Sequence, residues 1–164
     1  MLSFAEVVRR TEVELRTIGG RLGEYKLDLW HYDPVDGQVN DPTLFAVCLS
    51  RINEIRPQFV DAVAAVASEL PKQTQRAKGS GELLHYITRW REQVATAEQH
   101  MARVRTLLLT IQRAAAAPHA ATHEGRVDLR AIAHEGYQAY EKAQAAIAGL
   151  QVLCDELAEG RHRQ

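Results

Sequence analysis

The sequence predicts an all-α protein, an antiparallel up-down four-helix bundle with long heptad-patterned helices, and three observations carry that prediction. The first is a row of apolar residues, Leu83, Ile87, Trp90, Val94, Ala97, Met101, Val104, Leu108, Ile111 and Ala115, at alternating spacings of four and three. This is the seam of one helix, and no Gly or Pro interrupts it. At 1.5 Å per residue that helix is roughly 50 Å long, so helices of similar length must cover it. The second observation is that three other stretches of the chain repeat the pattern. The third is the length of the connections, about ten residues at no more than about 3.5 Å each, too short to run back along such helices. Neighbours should therefore alternate in direction. An intertwined dimer of helical hairpins uses the same seams and is the alternative.

The first helix, predicted at about 4–30, opens on a capping box. Ser3 stands three residues before Glu6, so the hydroxyl and the carboxylate can satisfy each other's backbone N–H groups. Leu2 and Val7 flank it as a hydrophobic staple, and Phe4, Val8, Thr11, Leu15, Ile18, Leu22, Tyr25 and Leu29 form its seam. Gly19 and Gly20 cost about 1 kcal/mol each relative to Ala in such a helix, so either the helix bends there or something packs closely on it.

His31 to Asp41 reads as a loop, with turn signals at Asp33-Pro34 and Asp36-Gly37. Its acidic residues lack the glycine offset and closing Glu of a calcium-binding loop. Asp41 caps the second helix, about 42–70, whose first residue Pro42 gives up an N–H that would have no partner anyway. Its seam is Phe45, Cys48, Ile52, Ile55, Phe59, Ala62 and Val66, and Pro57 inside it predicts a kink or a split after Arg56. Pro71 to Ser80 reads as a second loop.

The long third helix, about 81–117, carries the seam described first and stops at Pro118. A polar loop leads to Asp128, which caps the fourth helix, about 128–158. Its seam is Leu129, Ala133, Gly136, Tyr140, Ala143, Ile147, Leu150, Cys154 and Leu157, widened by Ile132, Ala139, Ala146 and Leu153. Gly160 and the basic residues after it suit a helix C-terminus. The 164 residues thus read as a single helical-bundle domain.

Composition narrows the function classes. A net charge of −1 argues against a protein dominated by nucleic-acid or anionic-membrane binding. No window approaches the length and apolarity of a membrane span. The opening residues meet a charge before any apolar run long enough for a secretion signal, so the expectation is a cytoplasmic protein. Cys48 and Cys154 both fall on seams and read as buried thiols, with a disulfide between them as the alternative. Neither stands in a nucleophile motif, and Lys78-Gly79-Ser80-Gly81 lacks the layout of a phosphate-binding loop. The chain reads as non-enzymatic and without a cofactor.

Three sets of residues are candidates for binding. On the first helix Val13, Gly20 and Leu27 lie seven apart, opposite the seam, with Trp30 beside them. Such a row, small at its centre and aromatic at its end, suits docking against another helix of a partner protein or of a second copy. Leu109 and Val152 also face outward in this register. This makes a protein acting through protein–protein interaction the leading expectation: an adaptor, a small subunit of a larger assembly or a homo-oligomer.

A metal site is the alternative. If neighbours alternate in direction, the first and third loops share one end of the bundle, bringing His31 near His119 and His123. A pair of histidines four apart can aim at one zinc or iron ion. The arrangement looks like bundle-based metal hydrolases and oxygen carriers, although those place their ligands on core-facing helices. The Arg113 to His119 spacing is similar to that of some helical ribonucleases, with Pro118 interrupting it. A further alternative is nucleic-acid association through Arg89, Arg91, Arg103 and Arg105, which recur two heptads apart and read as one basic flank about 21 Å long.

Overall fold

The computed structural model of the chain describes residues 2–30, 42–76, 81–116 and 129–160. They form four helices, α1 (Phe4–Trp30), α2 (Pro42–Arg76), α3 (Gly81–Ala116) and α4 (Leu129–Ala158), and no strand occurs among the described residues. The helices pack in a ring, α1 on α2, α2 on α3, α3 on α4, and α4 back on α1.

α1 begins as its capping box requires. The Ser3 backbone N–H donates to Glu6 Oε2 at 2.9 Å, and the Glu6 N–H returns to Ser3 Oγ at 3.2 Å. The expected caps of α2 and α4, Asp41 and Asp128, lie outside the described residues. α4 ends on Gly160, whose φ of 71° lies in the left-handed region that glycine enters at little cost. There the Gly160 N–H donates to the Leu157 carbonyl at 3.2 Å.

Most of the buried residues stand at the predicted seam positions, with Val63, Leu70 and Leu107 buried off them and Phe4, Ile87, Val94 and Ala133 only half-buried on them. Val8, Leu15, Ile18, Leu22 and Tyr25 are buried on α1, and Phe45 through Val66 at the seam positions on α2. On α3 the buried set includes Leu83, Trp90, Ala97, Met101, Val104, Leu108 and Ile111, and on α4 Tyr140, Ala143, Ile147, Leu150, Cys154 and Leu157. The parallel row on α4 is buried as well at Ala139, Ala146 and Leu153. Thr11 is the polar member of the α1 seam, and its hydroxyl donates to the Ala62 carbonyl of α2 at 3.4 Å.

α2 differs from its sequence reading in two respects. It passes through Pro57 unsplit, and it continues through Pro71 to Arg76 where a loop was expected. Both prolines stand on the exposed side of the helix. The carbonyls that lose a donor belong to Asn53 and Ala67, which are exposed too, so water can replace the missing bond. Ile55, Phe59 and Leu70, buried beside the prolines, hold the helix to its neighbours.

Cross-helix pairs fix which levels meet. Arg21 of α1 donates to Gln58 of α2 at 2.8 Å, ten residues on from Thr11 and four back from Ala62. Between α3 and α4, Arg89 meets Glu156 at 3.6 Å and Arg103 meets Glu135 at 2.8 Å. Between α1 and α4, Gln144 Nε2 donates to the Gly19 carbonyl at 3.0 Å, and Lys26 Nζ lies 3.9 Å from Glu141.

Candidate functional site

Of the first predicted set, Val13 and Gly20 of α1 are described. Val13 is 57% exposed, and a β-carbon placed on Gly20 would meet no atom within 4 Å. These two positions are about 10 Å apart along the helix and left open by the rest of the described chain. The side chains of Leu27 and Trp30 lie outside the described part of α1. Val152 of α4 is 50% exposed, as expected, whereas Leu109 of α3 is half-buried rather than outward. Leu2, read from the sequence as half of a hydrophobic staple, is 52% exposed, and Val47, Val60 and Leu84 are further exposed apolar residues that the sequence reading passed over. Val47 and Val60 stand between the seam positions of α2, and marking every apolar residue off the seams would have found them.

Gly19 and Gly20, expected to mark a bend or a close approach, behave differently from each other. Gly19 turns toward α4, where an added β-carbon would make an ordinary contact of 3.6 Å with Ile147. The tightest approach is at Gly23, where a β-carbon would come within 2.9 Å of Gln144 Nε2.

The four arginines of α3 predicted as one basic flank do not share a side of the helix. Arg89 and Arg103 reach across to Glu156 and Glu135 of α4, while Arg105 donates through Nε to Asn53 of α2 at 2.8 Å. Residues two apart on a helix point about 200° away from each other, which is why Arg103 and Arg105 part company. Arg91 is exposed.

His31, His119 and His123 lie outside the described residues. Among the described residues no three His, Cys, Asp or Glu side chains come together as a metal site would need. No described helix is long and apolar enough to cross a membrane.

Two side-chain polar atoms and both thiols are buried in the core. At one level Tyr140 of α4 stands with Cys48 and Arg51 of α2 and Tyr25 of α1, with the Arg51 guanidinium 5.2 Å from the centre of the Tyr25 ring. Burial pushes the Tyr140 hydroxyl well above the usual phenol range, with Cys48 and Tyr25 adding to the shift and Arg51 opposing it. Among the described residues that hydroxyl has no hydrogen-bond partner, and neither has Trp90 Nε1. Burial pushes the Cys48 thiol up to about 11. It pushes Cys154 up to about 12, where Glu12 and Asp155 add to the effect.

Both cysteines are free. Cys48 lies by Tyr140, and Cys154 is fourteen residues further along α4, about 21 Å, whereas a disulfide needs α-carbons within about 7 Å. Two buried thiols held protonated are the reverse of the exposed thiolate that nucleophilic chemistry uses.

A groove on the bundle's surface was not foreseen. Between α3 and α4 runs a groove of about 590 Å3 lined by Gln99, His100, Ala102, Arg103, Thr106, Glu135, Gln138, Ala139 and Lys142. His100 is held below its ordinary value of 6.5, first by partial burial and then by the charge of Lys142. A smaller groove of about 230 Å3 lies between α1 and α2, lined in part by Leu2, Val7, Arg10 and Asp61. Compared with protein-family models, with curated proteins and with solved structures, the chain matches none of them.

Proposed function

We propose that this chain is a non-enzymatic, cytoplasmic helical bundle that works by binding another protein, or a second copy of itself, through the outer face of α1. The roles that fit are an adaptor, a small subunit of a larger assembly and a homo-oligomer. The observation that carries the reading is the pairing of Val13, more than half exposed, with Gly20, over which the chain leaves open space. A glycine lets a second helix approach its backbone closely, and an exposed valine two turns away gives that helix an apolar contact.

The bundle behind this face is proposed to be antiparallel and up-down. Thr11 meets Ala62 and Arg21 meets Gln58, so numbers rise along α1 as they fall along α2. The same inversion relates α3 to α4 through Arg89–Glu156 and Arg103–Glu135.

The test is site-specific photo-crosslinking in cells of the source organism, with the photoreactive residue at position 13 or 20 and, as control, at the exposed position 113. Adducts with one protein species, or with a second copy, from 13 and 20 but not from 113 support the reading. Equal labelling from all three positions, or none from 13 and 20, overturns it.

A further inference from the structure

The interface between α3 and α4 is closed at one level and open at another. Near Gly149 the amide of Gln93 lies 3.1 Å from where a β-carbon would stand, so a long side chain fills the gap that the glycine leaves. Two to three turns back along α4 the two helices carry alanines, the half-buried Ala102 and the buried Ala139, among longer exposed side chains. The result is the groove of about 590 Å3, within the range of roughly 300–1,000 Å3 that small-molecule sites occupy.

The walls are polar and unevenly paired. Arg103 and Glu135 bridge the groove at 2.8 Å and cancel each other's charge. Lys142 forms no hydrogen bond or ion pair among the described residues, and neither do the side chains of Gln99 and Gln138. The lining therefore holds one surplus positive charge, two amides that both donate and accept, and a neutral imidazole beside the ammonium.

We propose that this groove binds a small organic oxyanion, its carboxylate or phosphate held by Lys142 with His100 beside it, and its uncharged part lying over Ala102. The amides of Gln99 and Gln138 hydrogen-bond the remainder of the molecule. A charge-assisted bond from an ammonium is a strong one for such groups, and the imidazole adds an N–H. An anion at this place screens Lys142 from His100, so occupancy lets the imidazole take up a proton more readily. The site is on α3 and α4 and does not rest on the docking face of α1.

The experiment follows the imidazole signal of His100 by NMR while inorganic phosphate, or succinate in a parallel series, is added at constant ionic strength. A saturable shift is expected, together with an upward move of the His100 titration midpoint. The probe that saturates at the lower concentration identifies the headgroup. Lys142→Gln, at an exposed position that leaves the core untouched, is expected to weaken binding by about tenfold, and Arg91→Gln, outside the groove, to leave it unchanged. A His100 signal that follows neither probe beyond the ionic-strength control, or a Lys142→Gln protein that binds as tightly as the wild type, overturns the proposal.

Discussion

Gln144 of α4 reaches into the glycines of α1, donating through Nε2 to the Gly19 carbonyl at 3.0 Å. The same nitrogen stands 2.9 Å from the place a β-carbon on Gly23 would take. Gly20, one residue from Gly19, has nothing within 4 Å of that place.

Gly20 and Gly23 should therefore respond differently to alanine. Gly20→Ala is expected to stabilise the protein by about 0.5–1 kcal/mol through helix propensity and to raise Tm by a few degrees. Gly23→Ala gains the same propensity but pushes Gln144 off the Gly19 carbonyl, a hydrogen bond worth ~1 kcal/mol, so its Tm should stay near the wild type. Thermal unfolding followed by circular dichroism compares them directly. A Gly23→Ala protein as stabilised as Gly20→Ala would mean that the Gln144 contact contributes nothing.

Tyr140 is a second place where a conservative change should not hurt. Its hydroxyl is buried with no partner among the described residues, so Tyr140→Phe removes a group that gains nothing and keeps the ring that fills the core. Urea unfolding should show stability unchanged or higher by about 1 kcal/mol. A loss of that size would reveal a partner for the hydroxyl.

The two thiols predict a stability loss in alkali. Folding raises the Cys48 and Cys154 values from 9.0 to about 11 and about 12, so the folded state favours the protonated thiols. Their contribution is full below about pH 9 and disappears as the pH rises through those folded values. Denaturant midpoints measured across that window should fall, and the fall should be shallower in a Cys48→Ala, Cys154→Ala double variant. At neutral pH a thiol reagent should label neither cysteine until the chain is unfolded.

Small residues on α4 set how closely its neighbours approach. Ala143 is fully buried, and Ala139 and Ala146 nearly so. Ala143→Leu is expected to destabilise by about 1–3 kcal/mol, because added methylenes in a filled core force neighbouring side chains off their preferred rotamers. Val152→Ser, at a half-exposed position on the same helix, should stay within about 0.5 kcal/mol of the wild type. Chemical denaturation of both variants tests the contrast.

The four helices and the residues they bury were legible because burial on a helix repeats every three or four residues, a period the sequence displays directly. Leu15, Ile52, Met101 and Leu150 could be assigned to the core from spacing alone. The run of α2 through Pro57 and Pro71 was not legible, because the cost of a proline depends on whether the orphaned carbonyl faces water. Pairings between helices were not legible either. Nothing in the spacing of α3 says that Arg103 finds Glu135 while Arg105 finds Asn53, since that depends on how far one helix is slid along another. The α3–α4 groove escaped for a related reason: Ala102 and Ala139 look like ordinary seam-side alanines until the two helices are laid side by side.

The packing of α4 against α1 closes the ring of helices. Gly19 meets Ile147 and Gln144 near the middle of each helix, and the Glu12 carboxylate acts on Cys154. Seen as a cycle, the bundle has no privileged starting point. A circular permutant that links Gly160 to Ser3 by a short flexible bridge, and is cut between α2 and α3, would give every helix the same two neighbours in a different order of synthesis.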